Sequence, residues 1–215
     1  MKLVIAEKPS VAREIAAVIG ADENVDGAFY GNGYIVSNAF GHLLKLKEPN
    51  DYAEKYQKWN LADLPIVPAN FELKLAESKG AAEQFQKLKA LMNSSYVDGI
   101  ICATDADREG ECIFRYIYEF AGCSKPVERL WISSLTSESI RQGFEEIKPS
   151  SDYDNLYAAG FTRAKLDWLI GMNFTRLFSI YHNAVCQIGR VKTPTVNMIV
   201  QRDLEIANFV KKPFF

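Results

Sequence analysis

Acidic side chains follow two short apolar runs of the sequence, and their spacing suits the binding of a cation. The acids are Glu7, which follows the first run, and Asp105, Asp107 and Glu109, which follow the second. Residues two apart in an extended loop point to the same side, so Asp105 and Asp107 are expected to converge. Two carboxylates about 4 Å apart repel by roughly 4 kcal/mol at an effective dielectric constant of 20, so several together need a cation or raised pKa values. The cluster therefore predicts a site for Mg²⁺ or a similar hard cation.

The same acidic pattern is also typical of an exposed turn that begins a helix, because carboxylates are favoured at the positive end of the helix dipole. Two neighbouring residues favour the functional interpretation. Lys8 stands beside Glu7 at a second strand end, and Gly110 follows the acidic loop, where a residue without a side chain lets the backbone approach a ligand closely.

Soft metal ligands are scarce in this sequence. The four cysteines, Cys102, Cys112, Cys123 and Cys186, show no C-x-x-C spacing, and there are two histidines. This pattern disfavours a zinc site and predicts reduced, partly buried thiols.

Apolar runs alternate with helical patterns in the first two thirds of the chain. The run 2–6 predicts a buried strand, and apolar residues then recur at helical spacing from Pro9 to Gly20. The further predicted elements are a hairpin at 31–33, a helix over 80–92, a strand at 100–104, a helix through Ile113 that ends at Gly122, a strand at 130–132 and a helix over 136–147. Such alternation predicts an α/β fold in which helices sandwich a mostly parallel sheet, with functional groups at the carboxyl ends of the strands.

From Asp152 onward the strand pattern disappears. The periodicity predicts helices over 155–170 and 173–181, separated at Gly171, and a third from Thr193 to Asn208. Residues 1–148 are thus predicted to form one α/β domain. Residues 149–215 are predicted to form the first part of an all-α domain, truncated at an apolar, uncapped end.

The composition is that of an ordinary soluble protein: 215 residues, 48% hydrophobic and 24% charged, with a net charge of −2. No apolar run reaches the ~18 residues of a membrane helix, and the start has no signal-peptide pattern, which predicts a cytoplasmic, nucleoid-associated protein. Residues 151–215 carry eight Lys and Arg against five Asp and Glu, while residues 1–150 carry 17 against 22. The basic segment suits an anion-binding surface, with ordinary surface variation as the alternative.

Taken together, the motifs resemble the Toprim signature of type IA DNA topoisomerases, in particular their topoisomerase III branch. The segments that carry the resemblance are AEKPS at 6–10, FGHLL at 40–44, WNLADLPIVP at 59–68, DADREGE at 105–111, RLWISS at 129–134, DWLIGMNFTR at 167–176 and GRVKTP at 189–194. They cover the whole chain in the family's order. The resemblance implies a Toprim catalytic domain followed by part of a helical domain that binds single-stranded DNA.

The resemblance also implies an activity. An ATP-independent, Mg²⁺-dependent enzyme would cleave and rejoin one DNA strand through a 5′-phosphotyrosyl link, and so relax or decatenate DNA. By resemblance, Asp105, Asp107 and Glu109 match the metal ligands, and Glu7 matches the catalytic acid beside the scissile phosphate. Lys8 matches the catalytic cation that steadies this phosphate.

The residues that match DNA-binding positions of the family are His42, Arg163, Arg176, Arg190 and Lys192. For His42 the alternative is a structural role in its turn, and for each arginine it is a surface salt bridge. Lys192 replaces a common glutamine of the family, and Asn38 stands where an aromatic residue is usual. The resemblance implies single-stranded DNA as the partner, with neither a nucleotide cofactor nor a membrane. It is also compatible with a helicase partner of the full-length protein.

The family's nucleophilic tyrosine lies in a Tyr-x-Arg-Thr-like motif, and none of the ten tyrosines has this context. Tyr181, beside His182, is expected to be a packing residue. We therefore expect this chain to be the N-terminal part of a topoisomerase, unable to relax DNA by itself. The alternatives are a Toprim nuclease or primase-like protein, and a binding module in which the acids are structural.

Overall fold

The computed structural model describes residues 1–211 and 213, which fall into two compact units. The first unit comprises 1–46 and 72–162, and the second comprises 47–71 and 163–215. The segment 47–71 is therefore grouped with the C-terminal helices, so neither unit is continuous in sequence.

The first unit is built on a seven-stranded sheet. Its strands are β1 (Lys2–Ala6), β2 (Glu23–Val25), β3 (Ala28–Gly31), β4 (Tyr34–Asn38), β7 (Gly99–Ala103), β8 (Val127–Arg129) and β9 (Lys148–Pro149), and a separate two-stranded ladder joins β5 (Leu44–Leu46) and β6 (Leu73–Leu75). The strand order in the large sheet is β2-β3-β4-β1-β7-β8-β9. The four central strands β4, β1, β7 and β8 run parallel, and the outer strands pair antiparallel.

Helices cover both faces of this sheet. The helices of the chain are α1 (Pro9–Ile19), α2 (Pro49–Tyr52), α3 (Ala81–Met92), α4 (Arg108–Phe120), α5 (Ser137–Glu145), α6 (Asp154–His182) and α7 (Lys192–Ala207). Successive residues of β1 point to opposite faces, so Val4 packs in one core with Ile15 of α1, while Leu3 packs in the other with Phe114 of α4. The predicted α/β sandwich with a parallel centre is confirmed.

The register of β1 brings two predicted functional segments to one edge. Ala6 pairs with Ala103 of β7 on one side and with Asn38 of β4 on the other. Because these strands are parallel, their carboxyl ends coincide, and the residues that follow them must share that edge. Glu7 and Asp105 are among those residues.

The strand predicted at 130–132 lies three residues earlier, at β8. The amide of Leu130 still donates to the carbonyl of Cys102 at 2.9 Å, but Trp131 then leaves the ladder and stacks on Tyr153 at 5.1 Å. The apolar pattern pointed to the wrong residues because the true strand contains a buried charged residue, Arg129.

The two helices predicted around Gly171 are one continuous helix, α6, of 29 residues. Glycine in a helix interior costs about 1 kcal/mol relative to alanine, which weakens a long helix without ending it. The side chain of Asn173 adds a hydrogen bond to the carbonyl of Leu169, one turn earlier, at 2.9 Å. A glycine without a following proline or cap is thus a poor helix terminator.

Helix α7 begins at Lys192, so that Pro194 lies in its first turn, where a missing N–H leaves no intrahelical bond unmade. Tyr181, expected to be a packing residue, is 79% exposed near the end of α6, and its ring meets that of His182 edge-on with centroids 5.1 Å apart.

The second unit has its own small aromatic cluster. Trp168 is buried, and its indole N–H donates to the carbonyl of Lys47 at 2.8 Å. The rings of Tyr52 and Phe71 pack edge-on against it, with centroids 6.3 and 5.5 Å away. Over the described residues, none of the helices has the length and apolar character needed to cross a membrane.

Candidate functional site

Glu7, Lys8 and Asp105 meet where β1 and β7 end. The ammonium of Lys8 lies 2.7 Å from Oδ2 of Asp105 and 3.7 Å from Oε1 of Glu7. The amide of Asp105 donates to Oε2 of Glu7 at 3.3 Å. The two predicted catalytic residues and the first predicted metal ligand therefore form one group of contacts, as the parallel register requires.

The pKa of the Glu7 carboxyl is raised by its surroundings. Desolvation raises its pKa above the usual 4.5, and the nearby charge of Asp105 raises it further, while the amide of Asp105 and the charge of Lys8 oppose the shift. The hydrogen bond and charge of Asp105 raise the pKa of Lys8, which therefore stays cationic at neutral pH. A cation bound beside Glu7 and Asp105 would offset the repulsion that contributes to the raised pKa of Glu7.

Asp107 and Glu109 face other partners than Asp105 does. Asp107 is the N-cap of α4, and its Oδ1 accepts the amide of Gly110 at 2.7 Å. Oε1 of Glu109 lies 3.0 Å from Nε2 of His42. The structure thus places the predicted DNA-binding histidine beside a predicted metal ligand.

The donor set fits a hard divalent cation in its chemistry. Glu7, Asp105, Asp107 and Glu109 all offer carboxylate oxygens, which are the ligands that Mg²⁺ prefers. Within residues 1–211 and 213, no three His, Cys, Asp or Glu side chains lie close enough together to hold an ion as they stand. Because like charges repel, the carboxylates instead contact a lysine, a helix N-terminus and a histidine.

A cavity of about 480 Å³ opens beside this group. Lys8, Asp105 and Asp107 line one part of it, and Ser133 and Ser134 line another. The site therefore has room for a phosphate group next to both acids and the lysine, with two hydroxyl groups from the segment after β8.

The sequence analysis did not identify Arg129 as a site residue, although it contacts the backbone of the acidic loop from the protein interior. It is fully buried, its Nη2 donates to the carbonyl of Asp105 at 2.7 Å, and its Nη1 donates to that of Thr104 at 2.8 Å. Its Nε donates to Glu111, which is also fully buried. The one available signal in the sequence was weak: Arg129 directly precedes the apolar run 130–132, and Glu111 lies in the preceding helix as a possible ion-pair partner.

Arg163 and Arg190, two predicted DNA-binding residues of the second unit, share one carboxylate. Arg190 donates to Asp167 through Nε at 2.7 Å and through Nη2 at 3.3 Å. Nε of Arg163 lies 3.8 Å from the same side chain. Both arginines and Asp167 are more than a third exposed, so one net positive charge remains accessible to an anion.

Arg176 and Lys192 line a cleft of about 600 Å³ in the second unit, together with Trp59. Arg176 is largely buried, donates to the carbonyl of Tyr56 at 2.8 Å and lies 5.4 Å from the centroid of the Trp59 ring. Lys192 is exposed and its ammonium contacts Gln187. The structure therefore uses much of Arg176 for packing, while Lys192 remains open to solvent.

Two known protein families match successive parts of this chain. Residues 2–135 match the Toprim domain family, and residues 151–215 match a family described as DNA topoisomerase. The chain belongs to the Toprim family, and the expected resemblance to type IA topoisomerases is confirmed.

Individual relatives point to the topoisomerase III branch. The chain is 47% identical over 213 residues to DNA topoisomerase 3 of Bacillus thuringiensis (strain Al Hakam) and 45% identical to DNA topoisomerase 3 of Shouchella clausii (strain KSM-K16). Each alignment covers 99% of this chain but only 29% of the length of the relative. The chain therefore spans less than a third of the length of these relatives.

A solved structure shares the fold. Full-length topoisomerase I from Thermotoga maritima matches with a TM-score of 0.64 at 23% sequence identity, covering 98% of this chain and 31% of that protein. At this identity the similarity shows the fold alone.

Proposed function

We propose that this chain is the Toprim domain and the beginning of the helical DNA-binding domain of a type IA topoisomerase. The complete enzyme would cleave one DNA strand and rejoin it through a 5′-phosphotyrosyl intermediate, without ATP. The observation that carries the proposal is the contact of Glu7, Lys8 and Asp105 at two adjacent parallel strand ends, beside a cavity of about 480 Å³.

In this proposal Asp105, Asp107 and Glu109 hold Mg²⁺. An ion bound there would supply positive charge to neutralise and orient the phosphate and the 3′ end during rejoining. Glu7 lies beside the scissile phosphate. Lys8, kept protonated by Asp105, steadies that phosphate and donates a proton to the leaving 3′ oxygen.

Single-stranded DNA is the proposed partner of the basic segment. Arg163 and Arg190 would contact phosphates through the guanidinium edges that Asp167 leaves free, because planar guanidinium groups suit phosphate oxygens. Lys192, which is exposed, would add a further phosphate contact. His42 would contact a nucleotide close to Glu109.

The nucleophilic tyrosine is proposed to lie in the part of the relatives that this chain does not span. The exposed apolar side chains of α7 are consistent with this helix packing against a further part of a longer protein. In the described part of the chain, no residue of α7 is buried, and its Met198, Ile199 and Ile206 are 72, 59 and 59% exposed. Apolar surface of this kind is normally covered by protein. Because the nucleophile is proposed to lie outside this chain, we expect the chain alone to relax no DNA.

A chimera tests the proposed function. The 213 residues of Bacillus thuringiensis DNA topoisomerase 3 that align with this chain would be replaced by it. Relaxation of a negatively supercoiled plasmid would then be followed with and without Mg²⁺. We expect Mg²⁺-dependent relaxation, lost in Asp107→Asn and retained in Arg141→Gln, an exposed residue of α5. A folded chimera that binds DNA but never relaxes it would contradict the proposal.

The second candidate is a Toprim nuclease, which the same acids on the same sheet would also serve. The isolated chain discriminates between the two functions. Mg²⁺-dependent nicking of plasmid by the chain alone, abolished by Asp107→Asn, would favour the nuclease, whereas the topoisomerase proposal expects neither nicking nor relaxation.

A further inference from the structure

Arg129 is a buried cation with more acceptors around it than packing requires. Its side chain is fully buried, and so is that of Glu111, whose Oε2 accepts its Nε at 3.1 Å. A buried ion pair usually gives no more stability than apolar residues of similar volume. The remaining contacts of Arg129 therefore call for a reason other than stability.

Two of those remaining contacts hold the start of the acidic loop. Four backbone carbonyls accept hydrogen bonds from the two Nη groups: those of Cys102 at 3.3 Å, Thr104 at 2.8 Å, Leu130 at 2.9 Å and Asp105 at 2.7 Å. Thr104 and Asp105 directly follow β7 and begin the loop of acids. The planar guanidinium holds both carbonyls from the buried side, with a geometry that an ammonium cannot reproduce.

The carbonyl oxygen of Asp105 is the point at which these contacts converge. It also accepts the amide of Asp107 at 2.8 Å, which closes the turn between the two acids. A Cβ atom on Gly110 would lie 2.3 Å from the same oxygen, so the start of α4 is packed directly against it. Moving this oxygen would therefore shift Asp105 relative to Asp107.

We propose that Arg129 is a positioning residue, which fixes the backbone from Asp105 to Asp107 in the conformation that binds a divalent cation. The proposal rests on the metal site of the proposed function. Arg129 touches neither the cation nor the DNA in this account, and acts through the carbonyls of Thr104 and Asp105.

The primary test compares two lysine substitutions in the 215-residue chain. Arg129→Lys keeps the charge but offers three donors in place of five. Arg115→Lys is the matched control, because Arg115 also donates to Glu111, at 2.9 Å. Its further contacts are with Ser150, Asp154 and the ring of Tyr157, away from the acidic loop. Mn²⁺ affinity would be measured by electron paramagnetic resonance. We expect a 10- to 100-fold weaker affinity in Arg129→Lys and a change below twofold in Arg115→Lys.

Hydrogen exchange of the metal-free protein separates this inference from the metal site itself. We expect the amide of Asp107 to exchange at least tenfold faster in Arg129→Lys than in the parent chain, with Arg115→Lys unchanged. If the parent chain bound no Mn²⁺, the proposed metal site would fail, and faster exchange would still support loop positioning. Unchanged exchange and affinity in folded Arg129→Lys, or equal losses in Arg115→Lys, would overturn the inference.

A second variant covers the case in which Arg129→Lys does not fold. Glu111→Gln removes the charge that orients the guanidinium while leaving Arg129 in place. We expect at least twofold weaker Mn²⁺ binding and faster exchange at Asp107. Parent values for both measurements in this variant would overturn the inference.

Discussion

The ammonium of Lys8 lies 2.7 Å from Oδ2 of Asp105, joining the ends of two adjacent parallel strands. This contact places a cation where the acids would otherwise repel one another, and it keeps Lys8 protonated. In the proposed reaction Lys8 leaves Asp105 to contact a phosphate. Because the proposed divalent cation also binds Asp105, Lys8 and the cation compete for that carboxylate.

That competition predicts tighter metal binding without the lysine. Lys8→Met removes an exposed ion pair of the kind worth up to about 1 kcal/mol, so Mn²⁺ should bind roughly two- to fivefold more tightly. Isothermal titration calorimetry measures this change. Weaker Mn²⁺ binding in the variant would show that Lys8 organises the site and does not compete for it. In the chimera, the same substitution should lower relaxation, because the phosphate loses its cation.

The raised pKa of Glu7 predicts a pH-dependent stability difference. Because the folded protein disfavours the ionised form, the contribution of Glu7 to stability is fully present below its usual pKa of 4.5 and is lost as the pH rises through the folded value. Glu7→Gln should therefore melt at a higher temperature than the parent at pH 7 to 8, by roughly 1–2 °C after allowance for solvent screening. At pH 3.5 the two midpoints should coincide. A gain that persisted unchanged at pH 3.5 would exclude ionisation as its cause.

Two glycines of the same helix should respond to alanine with opposite signs. At Gly171 a Cβ would lie 3.7 Å from the carbonyl of Ile188, an ordinary contact, so Gly171→Ala should stabilise the chain by about 0.5–1 kcal/mol. At Gly160 a Cβ would lie 2.5 Å from Sγ of Cys112, so Gly160→Ala should destabilise it by roughly 1–3 kcal/mol. Urea unfolding monitored by circular dichroism measures both. No gain from Gly171→Ala would contradict a continuous α6.

The shared carboxylate of Asp167 predicts opposite effects on DNA affinity. Asp167→Asn should strengthen binding of a single-stranded oligonucleotide, because Arg163 and Arg190 lose their counter-charge. Arg190→Ala should weaken it and reduce the slope of log K against log salt by about 0.7, as expected for one lost phosphate contact. Fluorescence anisotropy over a salt series tests both, with Arg141→Gln as the control in the other unit. Equal slopes for Arg190→Ala and the control would place Arg190 outside the DNA-binding surface.

The part of the site that the sequence could predict is the part that depends on local patterns. Glu7 and Asp105 each follow a short apolar run, and parallel pairing then brings those run ends together without further information. Arg129 could not be found in this way, because its role depends on carbonyls of another strand that only the folded sheet brings within reach. Gly171 misled for a related reason, since the packing and side-chain bonds of a long helix outweigh one unfavourable residue.

The most direct test of the account is a calorimetric titration of the chain with Mg²⁺, compared with the double variant Asp105→Asn, Asp107→Asn. We expect Mg²⁺ to bind the parent chain and to bind the variant at least tenfold more weakly, with native circular dichroism in both. Equal Mg²⁺ affinity in parent and variant would contradict it, because these acids would then serve the fold and hold no ion.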